Sequence, residues 1–214
     1  MDGPGTVTWE EFVKNAEDMI KVSARISDGW EFLGEMDVPG EAYLKRVEKH
    51  MLPSNHSIFL DDTSLENEDE VEKDPFEFDT GGNEKLRPLI IEHNILWSES
   101  YGVPVIYFNG WKSDYVNCNR VSCEEAQQFS CDEADRLGYG ELSQAIHPIR
   151  KQPYLWLHPC ASSKLIQNTS NSSNKLVSWL SSIAARALGL RVKPEYYQLT
   201  LNDNIATNAS LRHV

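Results

Sequence analysis

Two β-rich runs joined by a short polar link constrain the fold of this chain more than any other sequence feature. Residues 86–97 and 103–108 are rich in β-branched and large apolar side chains, which favour strands. The link between them, Ser-Glu-Ser-Tyr-Gly, has the residue types of a turn. Because the link is too short for a crossover, the two runs are expected to pair as an antiparallel hairpin. This hairpin is predicted to form the centre of a sheet.

The N-terminal part of the chain predicts one helix followed by two strands. Thr8 opens a capping-box pattern, and apolar residues then recur at helical spacing over residues 9–27. Gly29 is expected to stop this helix. Residues 30–33 and 42–50 have the composition of two strands with a turn between them. A helix packed on a hairpin is therefore expected here.

The second half of the chain has a less regular pattern. Residues 109–146 show weak periodicity, although Ser122 has the sequence context of a helix cap. A short apolar strand is expected over residues 152–157. After a polar turn at residues 170–174, an amphipathic helix is expected up to residue 189. Helices near both ends and antiparallel strands between them predict an α+β fold.

Length and composition suit one globular domain spanning residues 1–214. No apolar run approaches the roughly 20 residues that a membrane-spanning helix needs. Neither a signal peptide nor a lipidation motif is visible, so an integral membrane segment is not expected and the predicted location is the cytoplasm.

The charge of the chain is strongly negative and unevenly distributed. Asp and Glu number 33 against 20 Lys and Arg, a net charge of −13, so nucleic acid is not an expected partner. Residues 61–79 hold ten acidic residues and one lysine, a net charge of −9. We predict a flexible acidic insert over about residues 61–85, which serves solubility or, alternatively, docks a basic partner. The polar tail, about residues 202–214, is expected to fray.

The cysteines do not indicate a disulfide framework or a metal site. Cys118, Cys123, Cys131 and Cys160 include no C-x-x-C pair. No common zinc-site spacing matches the set Cys118, Cys123, Cys131 and His147. We expect reduced thiols, no metal and no organic cofactor.

Cys160 alone has surroundings that suggest chemistry. It follows the strand predicted at residues 152–157, and Pro159 should end strand pairing and expose the thiol in a turn. An exposed thiolate can act as a nucleophile. The alternatives are a small buried apolar residue or a papain-like protease nucleophile, whose local signatures are absent. His158 is expected to stabilise the turn as a hydrogen-bond donor rather than to act as a base.

The tripeptide His158-Pro159-Cys160 after an apolar strand resembles the active-site motif of the autophagy E2-like conjugating enzymes. Further segments occur in the order and spacing of that family, and the resemblance extends over about residues 8–190. These segments are residues 29–31, 101–108, 147–149, 152–153 and 178–181. The resemblance implies an E2-like fold, with an antiparallel sheet flanked by N-terminal and C-terminal helices.

The resemblance also implies a reaction and its partners. Cys160 would accept the ubiquitin-like autophagy-related protein 12 as a thioester from the E1-like autophagy-related protein 7. It would then donate the modifier to a lysine of autophagy-related protein 5, which the chain would bind directly without a separate E3. The alternatives are transfer to a lipid amine, as in autophagy-related protein 3, and a non-catalytic interaction module that retains the fold.

Transfer from a thioester requires stabilisation of an oxyanion, and the sequence leaves the donor open. Ubiquitin E2 enzymes use an asparagine where this chain has Cys160. Candidate donors are backbone N–H groups after Pro159, or the side chains of His93 and Asn94 on the neighbouring predicted strand. The family usually has a tyrosine at the position of His93, and a surface or hydrogen-bonding role is the alternative for both side chains.

Overall fold

The computed structural model describes residues 3, 5–59, 86–113, 118–129 and 142–202. The predicted acidic insert at about residues 61–85, Cys131, and all but the first residue of the predicted tail lie outside the described residues. None of the helices within these ranges has the length and apolar character that crossing a membrane requires.

The described elements are helices and strands in the order expected for an α+β protein. The helices are α1 (Trp9–Ile26), α2 (Cys123–Phe129), α3 (Ser162–Asn168) and α4 (Lys175–Ile183). The strands are β1 (Glu31–Gly34), β2 (Ala42–Pro53), β3 (Leu86–Ser98), β4 (Val103–Ser113), β5 (Cys118–Arg120), β6 (Leu142–Ile146) and β7 (Pro153–Leu157). Short 3₁₀ helices follow at Pro159–Ala161, Ala184–Arg186 and Pro194–Thr200.

One antiparallel sheet joins all the described strands. Its order is β1-β2-β3-β4-β7-β6, and β5 pairs with the end of β4. The hairpin predicted from the two β-rich runs is β3 and β4, which pair from Leu89 with Lys112 to Ser98 with Val103. Both predicted hairpins are therefore correct, and the α+β fold class is confirmed.

The helices α1 and α2 both begin at the capping residues from which the sequence predicted them. The Thr8 side chain accepts a hydrogen bond from the Glu11 amide at the start of α1. Ser122 and Glu125 form a reciprocal capping box before α2, with bonds of 3.2 and 2.7 Å. The end of α1 differs from the prediction, because Ser27 itself adopts the left-handed conformation with φ 52° and ends the helix before Gly29.

Two other elements differ from the sequence prediction. The edge strand β6 was not predicted, since its half-exposed sequence Leu-Ser-Gln-Ala-Ile lacks a run of strand-favouring residues and depends on pairing with β7. The closing helix is shorter than expected: α4 ends at Ile183 and continues as a 3₁₀ turn to Arg186. The tryptophans Trp30 and Trp179 are both buried in the core.

The two faces of the sheet have different neighbours. The helix face presents Phe32, His93 and Phe108, of which Phe32 contacts Phe12 of α1 and His93 reaches the Ala187 carbonyl beyond α4. We call the opposite side the open face. Side chains on it include Lys45, Asn94, Tyr107 and Trp156, which are neighbours in register across β2, β3, β4 and β7. Position along a strand decides the face, since successive side chains point to opposite sides.

A buried charged network fixes the C-terminal segment to the helix face. Asp28 contacts Arg46 of β2 at 3.1 Å and Lys193 at 2.8 Å. The Tyr196 hydroxyl donates to Asp28 at 2.7 Å, and burial is the main reason that the pKa of Tyr196 is raised. Asp28 and Tyr196 lie far apart in sequence, so this network joins the end of α1 to the last 3₁₀ helix.

We expect Tyr196→Phe to lower the free energy of unfolding by about 1–3 kcal/mol, because it leaves a buried carboxylate oxygen without its donor. Urea denaturation followed by circular dichroism measures the change. Tyr197→Phe is the matched control, since Tyr197 is 46% exposed, and its effect should be close to zero. Equal effects of the two substitutions would show that the bond to Asp28 does not stabilise the fold.

Candidate active site

The tripeptide His158-Pro159-Cys160 forms a tight turn at the end of β7. Pro159 is buried and occupies the first position of a 3₁₀ helix, where its fixed φ suits the turn and no amide is needed. Cys160 is the next residue, and its side chain is exposed. The strand holds one end of the turn and α3 follows the other, so the thiol lies at a fixed point on the surface.

His158 caps the turn that carries the thiol. Its Nδ1 accepts a hydrogen bond from the Cys160 amide at 3.1 Å. The ring centroid lies 5.1 Å from Trp156 and 6.0 Å from Tyr101, which belongs to the β3–β4 turn. The predicted turn-stabilising role is therefore present, although His158 accepts the bond instead of donating it. Because the Nδ1 lone pair is occupied, this nitrogen is not placed to remove the thiol proton.

The segment after Cys160 is held by the C-terminal helices. The Ser162 amide donates to the Pro159 carbonyl, which closes the 3₁₀ turn. The Trp179 indole of α4 donates to the Ser162 hydroxyl at 3.0 Å. The buried core of α4 thereby fixes the position at which α3 leaves the active-site turn.

The structure places His93 away from the thiol. Its ring is fully buried on the helix face, and Nε2 donates to the Ala187 carbonyl at 2.7 Å. Burial lowers the pKa of His93 to about 4, which keeps the ring neutral. The predicted oxyanion role needs a donor beside Cys160, whereas the bond that His93 makes is the alternative hydrogen bond within the core.

Asn94 lies on the open face but is also removed from the active-site turn. Cross-strand register places it opposite Tyr107, which in turn faces Trp156 of β7. Asn94 and Trp156 are therefore separated by two spacings between neighbouring strands, a distance of about 10 Å. The Asn94 side chain is fully buried and donates to Glu92 Oε1 at 2.9 Å. A direct contact between Asn94 and a thioester at Cys160 does not fit this arrangement.

Glu92 is the centre of the polar cluster on the open face, and the sequence did not indicate it. Its Oε1 accepts hydrogen bonds from the Tyr154 hydroxyl at 2.7 Å and from Arg150 at 2.8 Å, in addition to Asn94. Burial alone would raise the pKa of Glu92, but these bonds and the neighbouring positive charges outweigh it and lower the pKa. Glu92 therefore remains a carboxylate that ties the β6–β7 turn to the sheet.

His147 organises the same turn from within the core. Its Nδ1 accepts hydrogen bonds from the Ile149 amide at 3.2 Å and the Arg150 amide at 3.1 Å. The ring centroid lies 5.1–5.3 Å from the rings of Tyr43, Tyr107 and Tyr154. Burial lowers the pKa of His147 to about 4. The His-Pro pair at residues 147 and 148 is the sequence signal for this cap, since it repeats the pattern at residues 158 and 159.

The described residues do not gather metal-binding side chains. Within the described ranges, no group of three or more His, Cys, Asp or Glu side chains is placed to hold a metal ion. Cys118 is exposed on β5, and Cys123 contacts the Leu142 carbonyl at 3.7 Å. The chemistry of the described site is that of a single exposed thiol.

Comparison with known proteins agrees with this reading of the site. The family model described as autophagocytosis associated protein, active-site domain, matches residues 11–190. Three proteins with the name ubiquitin-like-conjugating enzyme ATG10 are similar to the chain. The Homo sapiens protein is 25% identical and the match covers 90% of this chain and 93% of that protein. The Arabidopsis thaliana protein is 30% identical, over 49% and 51% of the two chains, and the Dictyostelium discoideum protein is 27% identical, over 55% and 56%.

These matches confirm the resemblance predicted from the His-Pro-Cys motif, and they favour autophagy-related protein 10 over the lipid-conjugating branch. The predicted class of enzyme, an E2-like transferase, is confirmed as well. The family model covers most of the described helices and strands, from α1 to the turn after α4. The chain belongs to the family of autophagocytosis-associated proteins that this active-site domain defines.

Proposed function

We propose that this chain accepts the ubiquitin-like autophagy-related protein 12 from the E1-like autophagy-related protein 7 and transfers it to a lysine of autophagy-related protein 5. Cys160 is the residue that carries the modifier. The observation that supports this proposal is an exposed cysteine on a turn fixed by His158 and Pro159, in a chain of this family. The reaction would take place in the cytoplasm and support autophagosome formation.

The proposed reaction consists of two acyl transfers. In the first, the Cys160 thiolate attacks the carbonyl carbon that joins the C-terminal glycine of the modifier to the E1 cysteine. A new carbon–sulfur bond forms and the E1 sulfur leaves as a thiolate. In the second, the amine of the acceptor lysine attacks the same carbon, Cys160 leaves as a thiolate, and the amine proton passes to solvent. Since the thioester already stores the free energy for amide formation, the chain's task is to position the acceptor.

The turn itself is the remaining source of an oxyanion donor. The Cys160 amide is engaged with His158, and the Ser162 amide with Pro159. The amide of Ala161 lies directly after the nucleophile, and the 3₁₀ turn directs it to the His158 carbonyl. We propose that a backbone N–H group after Pro159 stabilises the oxyanion once its bond within the turn opens, the alternative to His93 and Asn94 that the sequence left open.

Single-turnover discharge distinguishes this proposal from the lipid-conjugating alternative. Enzyme charged at Cys160 is separated from E1 and ATP, then mixed with autophagy-related protein 5 or with vesicles that contain phosphatidylethanolamine. We expect transfer to the protein lysine and no transfer to the lipid. Transfer to the lipid amine would contradict the proposal and favour the activity of the autophagy-related protein 3 type.

Substitution of His158 tests whether it acts as a cap or as a base. We expect His158→Ala to slow charging of Cys160 by about tenfold, since loss of a cap costs on the order of 1 kcal/mol. His158→Asn should retain most of the rate, because an asparagine side chain can accept the same amide bond two residues later. Stopped-flow or quenched charging assays measure both rates.

A result in which His158→Asn is as slow as His158→Ala would contradict the capping role. It would mean that the imidazole takes part in proton transfer. His50→Ala is the control for loss of a surface histidine, since its side chain is 42% exposed on β2.

A further inference from the structure

The open face carries an excess of positive charge on a strongly acidic protein. Its described charged side chains are four basic and two acidic ones: Lys45, Lys49, Arg120, Arg150, Glu31 and Glu92. The whole chain has a net charge of −13. Basic side chains that gather on one face of an acidic molecule attract an anionic partner to that face.

A cavity of about 260 Å³ opens between Arg120 and Arg150, and Glu92 is also part of its lining. Its floor contains Asn109 and Tyr154, each 2% exposed, and half-buried Trp111 forms part of its wall. Arg120 and Arg150 come from β5 and from the β6–β7 turn and line the same cavity. Residues from separate parts of the chain therefore build a pocket of the size of one side chain.

The two arginines are oriented by polar partners. Arg120 Nε donates to Asn109 Oδ1 at 3.2 Å, and a second N–H group donates to the Pro153 carbonyl. Arg150 donates to Glu92 at 2.8 Å. A guanidinium has five N–H donors, so each arginine has further donors for a carboxylate in the cavity.

Exposed apolar side chains lie beside the cavity on the same face. Val47 is 52% exposed and stands opposite Glu92 in register, and Met51 is 45% exposed further along β2. Ile90 is half-buried and stands opposite Trp111. A partner that fits this surface has acidic and apolar side chains next to each other.

We propose that this surface, formed by Val47, Met51, Trp111, Arg120 and Arg150, docks an acidic, apolar-containing segment of a protein partner. We call it the basic docking surface. One carboxylate of the segment enters the cavity between the two arginines, and its apolar side chains cover Val47 and Met51. A protein segment is favoured over a lipid membrane because the cavity has a buried floor of Asn109 and Tyr154, which a single projecting side chain can reach.

The basic docking surface leaves the thiol accessible. Pro153, at the start of β7, lines the cavity, whereas Cys160 follows the other end of that strand. Pro153 and Leu157 are four residues apart along the strand, which corresponds to a distance of about 13 Å. A segment bound at the cavity thus leaves Cys160 open to E1 and acceptor. This inference goes beyond the proposed transfer reaction and does not depend on it.

Fluorescence anisotropy with labelled synthetic peptides tests the docking surface on the full chain. The probe is a peptide in which Glu and Leu alternate, and the comparison peptides replace Glu by Lys or Leu by Ser. We expect the Glu–Leu peptide to bind more tightly than either comparison peptide. Arg120→Glu should weaken its binding by about tenfold, because the substitution reverses a charge in the cavity.

Matched variants separate the surface from general charge effects. Val47→Glu should weaken binding of the Glu–Leu peptide without removing a polar contact, since Val47 is exposed. Lys21→Glu is the control, because Lys21 lies on α1 and its side chain is 72% exposed. The circular dichroism spectrum and the urea midpoint should be the same in all three variants, which shows that they fold.

Four results would overturn the proposal. These are no binding of the Glu–Leu peptide, equal weakening by Lys21→Glu and Arg120→Glu, and binding of vesicles of phosphatidylserine and phosphatidylcholine in place of the peptide. The fourth is peptide binding that appears only after residues 61–85 are deleted, since the occupant would then be the chain's own acidic segment.

Discussion

Cys160→Ser is expected to replace a thiol-labile adduct by one that resists thiol treatment. In the proposed reaction, the wild type carries the modifier through a thioester, which an added thiol cleaves by exchange. In the variant, the serine hydroxyl forms an oxyester that a thiol does not cleave. Charging should also be slower by orders of magnitude, because a hydroxyl is not ionised at neutral pH and is a far weaker nucleophile than a thiolate.

The measurement is a non-reducing gel of chain, E1-like enzyme, modifier and ATP, run with and without thiol. Cys118→Ser is the matched control, since Cys118 is also exposed but lies on β5. It should form the same labile adduct as the wild type. An adduct of Cys160→Ser that remains thiol-labile would place the thioester on another cysteine.

Cys160→Ala separates an enzyme from a non-catalytic interaction module. We expect the variant to form no adduct and to conjugate no acceptor, while it still folds and binds its partners. Conjugation at the wild-type rate would show that the chain acts as a module that another enzyme uses. The exposed position of Cys160 makes the test clear, because removal of an exposed side chain creates no core cavity.

The second large expected effect is a loss of stability in mild acid. His93 and His147 are fully buried, and burial lowers the pKa of each to about 4. In the unfolded chain, histidine titrates near 6.5. As the pH falls from about 6.5 to about 4, the unfolded chain therefore binds protons that the folded chain does not bind. Each histidine contributes stability that is complete above pH 6.5 and is lost in this range, on the order of 3 kcal/mol for His93.

The geometry explains why protonation is unfavourable at both sites. A proton on His147 Nδ1 would remove the lone pair that accepts the Ile149 and Arg150 amides. A charged His93 would lie in the core between the sheet and the segment after α4. The predicted outcome is therefore a steep fall of stability between about pH 6.5 and pH 4.

Urea denaturation at several pH values between about 7 and 4 measures this dependence. The double variant His93→Gln, His147→Asn should show a smaller slope, because neither new side chain titrates. Asparagine at position 147 can still accept the amide two residues later, so the turn is retained. Equal slopes in the wild type and the double variant would contradict the assignment to these histidines.

Several features were predictable because their signals are local. The capping pairs at Thr8 and Ser122 satisfy amides within one helical turn, and the β3–β4 hairpin follows from two runs separated by a short link. The same holds for the active-site turn, whose proline and capping histidine adjoin Cys160. For β6, the local signal was too weak, because its pairing with β7 decides its conformation.

The burial and the hydrogen-bond partners of His93 and Asn94 could not be predicted from local sequence signals. They are consecutive in β3, so they point to opposite faces. The segment after α4 covers His93, and the β6–β7 turn packs on the face of Asn94, so both are buried for different reasons. Arg120 and Arg150 meet at one cavity because β5 pairs with β4 and the β6–β7 turn lies over the same face. No spacing in the sequence predicts this meeting.

By itself, the sequence determined the active-site turn, the α+β class and the family, since each depends on neighbouring residues or on a motif of contiguous residues. The tertiary structure decided which side chains accompany the thiol, which are buried in the core, and which basic residues share the open face. The reason is physical: strand register and helix packing bring together residues that are distant in the chain, and they fix burial and therefore the charge state of the groups they enclose.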